Sequence, residues 1–150
     1  MMRFFLGAAV LAVSGAVSAN SLDGKAIFCT SLKPSYDVPF GFEFVAGKVT
    51  QYSIGYREGG VEAFVKENSW LSPDPTPYIE TVDFVYWDDR TKWLNRKTLV
   101  LESRYGNTGE VYSTMKCEVS LSAAAMKNAM EMAKQKKQKE IDEKMKDNKI

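Results

Sequence analysis

The 150-residue chain contains no histidine and only two cysteines, Cys29 and Cys117. The missing histidine removes the commonest general base near neutral pH, the Ser-His-Asp and Cys-His nucleophile arrangements, and imidazole metal sites. There is no glycine-rich phosphate loop, no GxSxG elbow and no EF-hand ligand spacing. A strong charge of either sign is missing too. Residues 20–150 carry nineteen basic and nineteen acidic side chains. That is far from the basic surface nucleic-acid binding requires, so nucleic acid is not expected as a partner.

Long apolar runs are confined to the N-terminus. Met1 to Ala19 holds one charge, Arg3, followed by the uncharged run Phe4 to Val17 and then Val17-Ser18-Ala19. This is the pattern of a signal peptide cleaved after Ala19. An uncleaved anchor is the alternative, but Ser14, Gly15, Ser18, Asn20 and Ser21 make the end of the stretch too polar to span well. The expected location is periplasmic or secreted, where disulfides persist. Cys29 and Cys117 are therefore expected to be oxidised to one another, which sets aside thiolate catalysis and cysteine-ligated zinc. No cofactor is expected.

What remains reads as strands, because apolar residues recur with period two and aromatic and β-branched types dominate. Phe40, Phe42 and Phe44 alternate with Gly41 and Glu43, and Thr50, Tyr52, Ile54 and Tyr56 continue the pattern. A three-residue loop, Val45-Ala46-Gly47, would pair Phe44 with Lys48 and put both apolar sets on one face. Arg57 to Gly60 turns into a short strand over Val61 to Lys66, and the prolines of Ser72 to Pro77 break the sheet. Tyr78 to Trp87 reads as one long strand, covered on one side by the barrel interior and on the other by a C-terminal helix. Turns at Asp88 to Thr91, Asn95 to Lys97 and Tyr105 to Gly109 separate the later strands, the last being Val111 to Val119 with Cys117. With a first strand over Gly24 to Thr30, the count is seven or eight. The expected fold is mainly β: a small antiparallel β-barrel or sandwich over residues 20–120 with a C-terminal α-helix over 121–150. Cys29 on the first strand and Cys117 on the last make those strands neighbours, which favours closure.

From Ser120 the period changes. Ser120 or Ser122 can cap a helix, and Leu121, Met126, Met130 and Ala133 are spaced for one docked face. Beyond Ala133 the lysines crowd in and the second half is expected to be solvated, with Glu140–Lys144 and Asp142–Lys146 as supporting pairs. Membrane contact through this lysine-rich tail is a lesser alternative.

Candidate chemistry is sparse. Glu80 and Asp83 fall on opposite faces of one strand by parity, and Asp88 and Asp89 sit in a turn, so a carboxylate-based hydrolase is the weakest reading. A serine–lysine dyad carries no sequence mark. The aromatic residues Trp70, Tyr78, Tyr86, Trp87 and Trp93 cluster around the proline loop and the Asp-Asp turn and form the candidate binding patch.

The order of Asp23-Gly24-Lys25 entering a first strand with Cys29, the hairpin through Gly47-Lys48, the run Trp93 to Leu99 and the final strand with Cys117 resembles short exported single-disulfide β-proteins. In outline it is also similar to the periplasmic inhibitors of C-type lysozyme, small barrels with a disulfide joining first and last strands. Those carry a Ser-Gly-containing loop that enters the lysozyme cleft. Residues 20–150 contain no such loop, so the resemblance implies a fold and no site residue. The expected function is a monomeric, non-enzymatic binding or envelope-associated module that recognises a protein or envelope component through its aromatic surface. The alternative is a carrier holding a small apolar ligand inside the barrel.

Overall fold

A computed structural model describes residues 22–33, 38–68 and 74–147. The expected signal segment and Trp70 lie outside these residues. The elements are β1 (Ala26–Ser31), β2 (Phe40–Val45), β3 (Lys48–Arg57), β4 (Glu62–Glu67), β5 (Thr76–Glu80), β6 (Phe84–Trp87), β7 (Lys92–Asn95), β8 (Val100–Arg104), β9 (Val111–Ser120) and the helix α1 (Ala123–Asp147).

Eight strands close an antiparallel barrel in the order β1-β2-β3-β5-β6-β7-β8-β9, with β9 returning to β1. The β2–β3 pairing completes the ring and decides for a barrel over a sandwich. The ninth strand, β4, stands outside the ring on the far half of β3. Cys29 lies opposite Cys117 in the β1–β9 ladder, and the two are bonded.

Inside the ring, Ile27, Phe42, Phe44, Val49, Val85, Trp87, Leu94, Leu101 and Met115 surround the disulfide. Trp87 is the hub: the rings of Phe42 and Phe44 meet it edge-on at 5.1 and 5.7 Å. Each such pair contributes about 0.5–1.5 kcal/mol beyond its burial.

Two expectations about strand register fail here. The β2–β3 turn has two residues rather than three, pairing Val45 with Lys48 and Phe44 with Val49. Ala46 and Gly47 both take left-handed backbone angles, φ 51° and 73°, which suits the twist of a tight hairpin. Phe42 and Phe44 therefore point inward while Tyr52 and Ile54 point outward. The three-residue loop rested on there being one buried face, and this hairpin has two. Tyr52, Ile54 and Ala63 pack outside the barrel against Met126 and Met130 of α1. Gly41 lies at the closest approach, where an added Cβ would run into Met126 and Met130.

The expected single strand Tyr78 to Trp87 is a hairpin. β5 and β6 fold on each other with Tyr78 opposite Trp87 and Glu80 opposite Val85. Thr81 helps make the turn, its hydroxyl accepting from the Phe84 N–H at 3.1 Å. The reversal changes parity, so Tyr78, Val85 and Trp87 share the inner face and Ile79, Phe84 and Tyr86 the outer one. The helix does not supply the second cover expected for this segment, because it lies against β1, β2, β3, β4 and the end of β9.

Helix α1 starts where Ser122 Oγ accepts the Ala125 N–H at 3.1 Å. Met126 and Met130 are fully buried, whereas Leu121 is fully exposed and leaves the predicted docked face. Docking also runs past Ala133. Gln138 accepts from the Ala63 N–H at 2.8 Å and donates to the Val61 carbonyl at 2.9 Å, and Ile141 packs in the same cluster. Lys127 anchors the other end on Glu43 at 2.8 Å, with the Tyr52 hydroxyl also donating to Glu43 at 3.0 Å. The Lys127 ammonium holds the Glu43 carboxyl below its ordinary value, and Glu43 raises Lys127 in turn.

Candidate functional site

Strand direction defines two barrel ends. The β2–β3, β5–β6 and β7–β8 turns lie at the lower end, and the β1–β2, β6–β7 and β8–β9 connections at the upper end. The inward side chains change character between them. Moving up, Leu94 gives way to Lys92, Leu101 to Ser103, Met115 to Ser113 and Cys29 to Ser31. These are alternate positions on the same strands, so each pair shares the inner face.

The lower end is closed by the segment before β1. The Gly24 N–H donates to the Phe44 carbonyl at 2.7 Å, and the Leu22 N–H to Glu80 Oε1 at 2.8 Å. Asp23 Oδ1 accepts from the Gly47 N–H at 3.0 Å and from the Tyr78 hydroxyl at 2.5 Å. These bonds, that from Tyr78 foremost, hold the Asp23 carboxyl below its ordinary value. Leu22 itself packs against the interior core.

The upper end holds a cavity of about 390 Å³. Phe40, Phe42, Leu101 and Met115 line it below, and Lys92, Ser103, Tyr105 and Tyr112 are among the residues nearer its mouth. Tyr105 and Tyr112 lie with ring centroids 4.7 Å apart. Lys92 and Ser103 face one another across the β7–β8 ladder, and Lys92 Nζ donates to Ser103 Oγ at 2.8 Å. This is the serine–lysine pair that bears no sequence mark. A nucleophilic serine also needs backbone donors for an oxyanion, and the N–H of the following residue, Arg104, donates instead to the Thr91 carbonyl at 2.8 Å.

The predicted aromatic patch divides. Trp87 is buried inside the barrel, and Tyr78 faces inward, edge-on to Phe44 at 5.2 Å. Tyr86 and Trp93 remain outside, paired across β6–β7 with ring centroids 4.5 Å apart. Phe84, which the sequence reading left off the patch, joins them at 5.8 Å from Trp93. Arg104 covers Trp93 at 4.1 Å and bonds Glu102 at 3.0 Å. Exposed Ile79 lies opposite Tyr86 and extends the face.

Lys92, Ser103 and Tyr112 were missed. For Lys92 and Ser103 the signal was the replacement of an apolar residue by a polar one, two positions along, at the same end of several strands. It becomes visible only once strand direction and inner parity are known.

No group of three or more carboxylates or cysteines able to hold a metal ion occurs among the described residues. Glu80 instead lies 3.6 Å from Arg96, and Asp83 pairs with Lys97 at 2.9 Å. Among the described residues no helix is long and apolar enough to cross a membrane. Comparison with known protein families, curated proteins and solved structures gives no match.

Proposed function

We propose that the protein is an exported, non-enzymatic binding module whose upper cavity holds a small apolar molecule. One observation carries this reading: a cavity of about 390 Å³ with an apolar floor, set in the mouth of a closed barrel. Small-molecule sites typically enclose about 300–1,000 Å³, and barrel mouths are a recurrent place for them. Export rests on the N-terminal pattern of residues 1–19, and the Cys29–Cys117 bond fits an oxidising compartment. The engaged Arg104 N–H beside Ser103 and the cationic partners of Glu80 and Asp83 favour binding over hydrolysis.

Native mass spectrometry of the protein purified from its own host tests the reading. A small molecule that co-purifies and is released on unfolding is the expected result. A ligand-free protein that also takes up no apolar fluorescent dye would sink it.

A second reading keeps the outer aromatic face as the recognition surface for a protein or envelope component. Phe84, Tyr86 and Trp93 form a ring cluster on the outer surface, away from the strands α1 covers. If this face is used, Trp93→Ala abolishes partner co-purification without emptying the cavity. The outline shared with C-type lysozyme inhibitors contributes no residue to either reading.

A further inference from the structure

The upper cavity is chemically lopsided. Its floor is hydrocarbon and thioether, and its wall carries two ammonium groups, Lys33 and Lys92, with no carboxylate among the described residues. Lys92 is the more informative of the two. Ser103, to which Nζ donates, is only 5% exposed. The other hydrogen-bond partner of Nζ among the described residues is the Tyr112 hydroxyl, at 3.4 Å. Both partners are neutral oxygens. An ammonium has three donors, and one placed partly out of water beside neutral groups strongly favours an anion. Several cations elsewhere have one: Arg96 with Glu80, Lys97 with Asp83 and Arg104 with Glu102 on the barrel, and Lys127 of α1 with Glu43. Lys116 on β9, however, also donates to a neutral oxygen, the Thr98 carbonyl.

Resting on the reading of the cavity as a ligand site, we infer that its ligand is an amphipathic monoanion. The apolar tail lies on Phe42, Leu101 and Met115, and the acidic head meets Lys92 Nζ. Ser103 acts as a positioning residue. Its hydroxyl sits directly across the ladder and holds the ammonium at the cavity wall.

The test is isothermal titration of the whole chain with decanoate, decanol and decylamine, three probes with one tail and different heads. Decanoate is expected to bind most tightly and decylamine most weakly. Decanol should fall about ten- to a hundredfold below decanoate, the span of one charge-assisted hydrogen bond. Lys92→Met should bring decanoate down to the decanol level and leave decanol unchanged, and Lys92→Arg should restore the preference. Equal binding of decanoate and decanol by the unaltered protein overturns the acidic head while leaving the cavity reading intact. Binding of none of the three overturns both. A preference that survives Lys92→Met but disappears in Lys33→Met overturns the assignment to Lys92.

Discussion

The two ends of the barrel are made by the same eight strands and finish in opposite chemistry. At the lower end the chain before β1 folds across the opening, and Asp23, Tyr78, Gly47, Leu22 and Glu80 tie it down. At the upper end nothing comparable crosses among the described residues, and the inward positions turn from Leu and Met to Lys and Ser. The difference separates two jobs in one small fold. Aromatic packing and the end plug supply stability below, while among the described residues the upper end is left with polar groups and space. A barrel filled throughout would be more stable and would have no room for a ligand.

Several experiments would break or sharpen this contrast, the largest effect first. The Cys29–Cys117 bond closes a loop with a sequence separation of 88 and supports both ends. The chain-entropy model assigns such a loop about 4–5 kcal/mol, a large part of a small domain's stability. Denaturant unfolding with and without reductant is expected to show a drop of that order. An unchanged midpoint would mean the ladders alone hold the barrel shut.

Next comes an end-against-end comparison of phenylalanines. Phe44→Ala, at a fully buried ring near the plug, is expected to cost about 3–5 kcal/mol. Phe40→Ala, at a half-buried ring on the cavity wall, should cost less than half as much, because less surface is lost and no closed void forms. Equal losses in chemical denaturation would show that the upper end carries as much of the fold as the lower.

The smallest effect is a pH dependence of the plug. Asp23 is held below its ordinary value of 3.8 by Tyr78 and Gly47. Its contribution is therefore complete above that pH and is lost as pH falls through the lower folded value. The protection of the Gly47 amide, measured against its intrinsic exchange rate at each pH, should fall over that acid range, and Asp23→Asn should remove the dependence. Glu43, also held low, weakens its hold on α1 in the same direction. Acid sensitivity at the upper cavity but not at Gly47 would reverse the proposed division.

Much of this architecture was legible along the chain because it rests on local signals. Period-two alternation marked the strands, Gly-Gly and Asp-Asp marked turns, and Ser120 or Ser122 before an alanine run marked the helix start. The site was less legible. Trp87 and Tyr86 are adjacent in sequence, yet one is the interior hub and the other an outer residue. The short turn at Val82 reverses the strand, and this change of parity puts Tyr78 on the same inner face as Trp87. Likewise, Tyr52 and Ile54 look like interior residues until α1 provides a second apolar layer outside the ring.

The sequence by itself determined the β class, the excluded histidine chemistry, the cysteine pair as a tie between first and last strands, and a helix after the last strand. These depend on residue type and on spacings of a few positions, which backbone geometry converts directly into structure. Only the tertiary structure decided which face of each strand looks inward, and so where the aromatic rings go. It alone brought Lys92 opposite Ser103 beneath Tyr112, residues from three separate strands. The physical reason is ring closure: strand register, direction and tilt set the contents of each end, and they emerge when all eight strands close together.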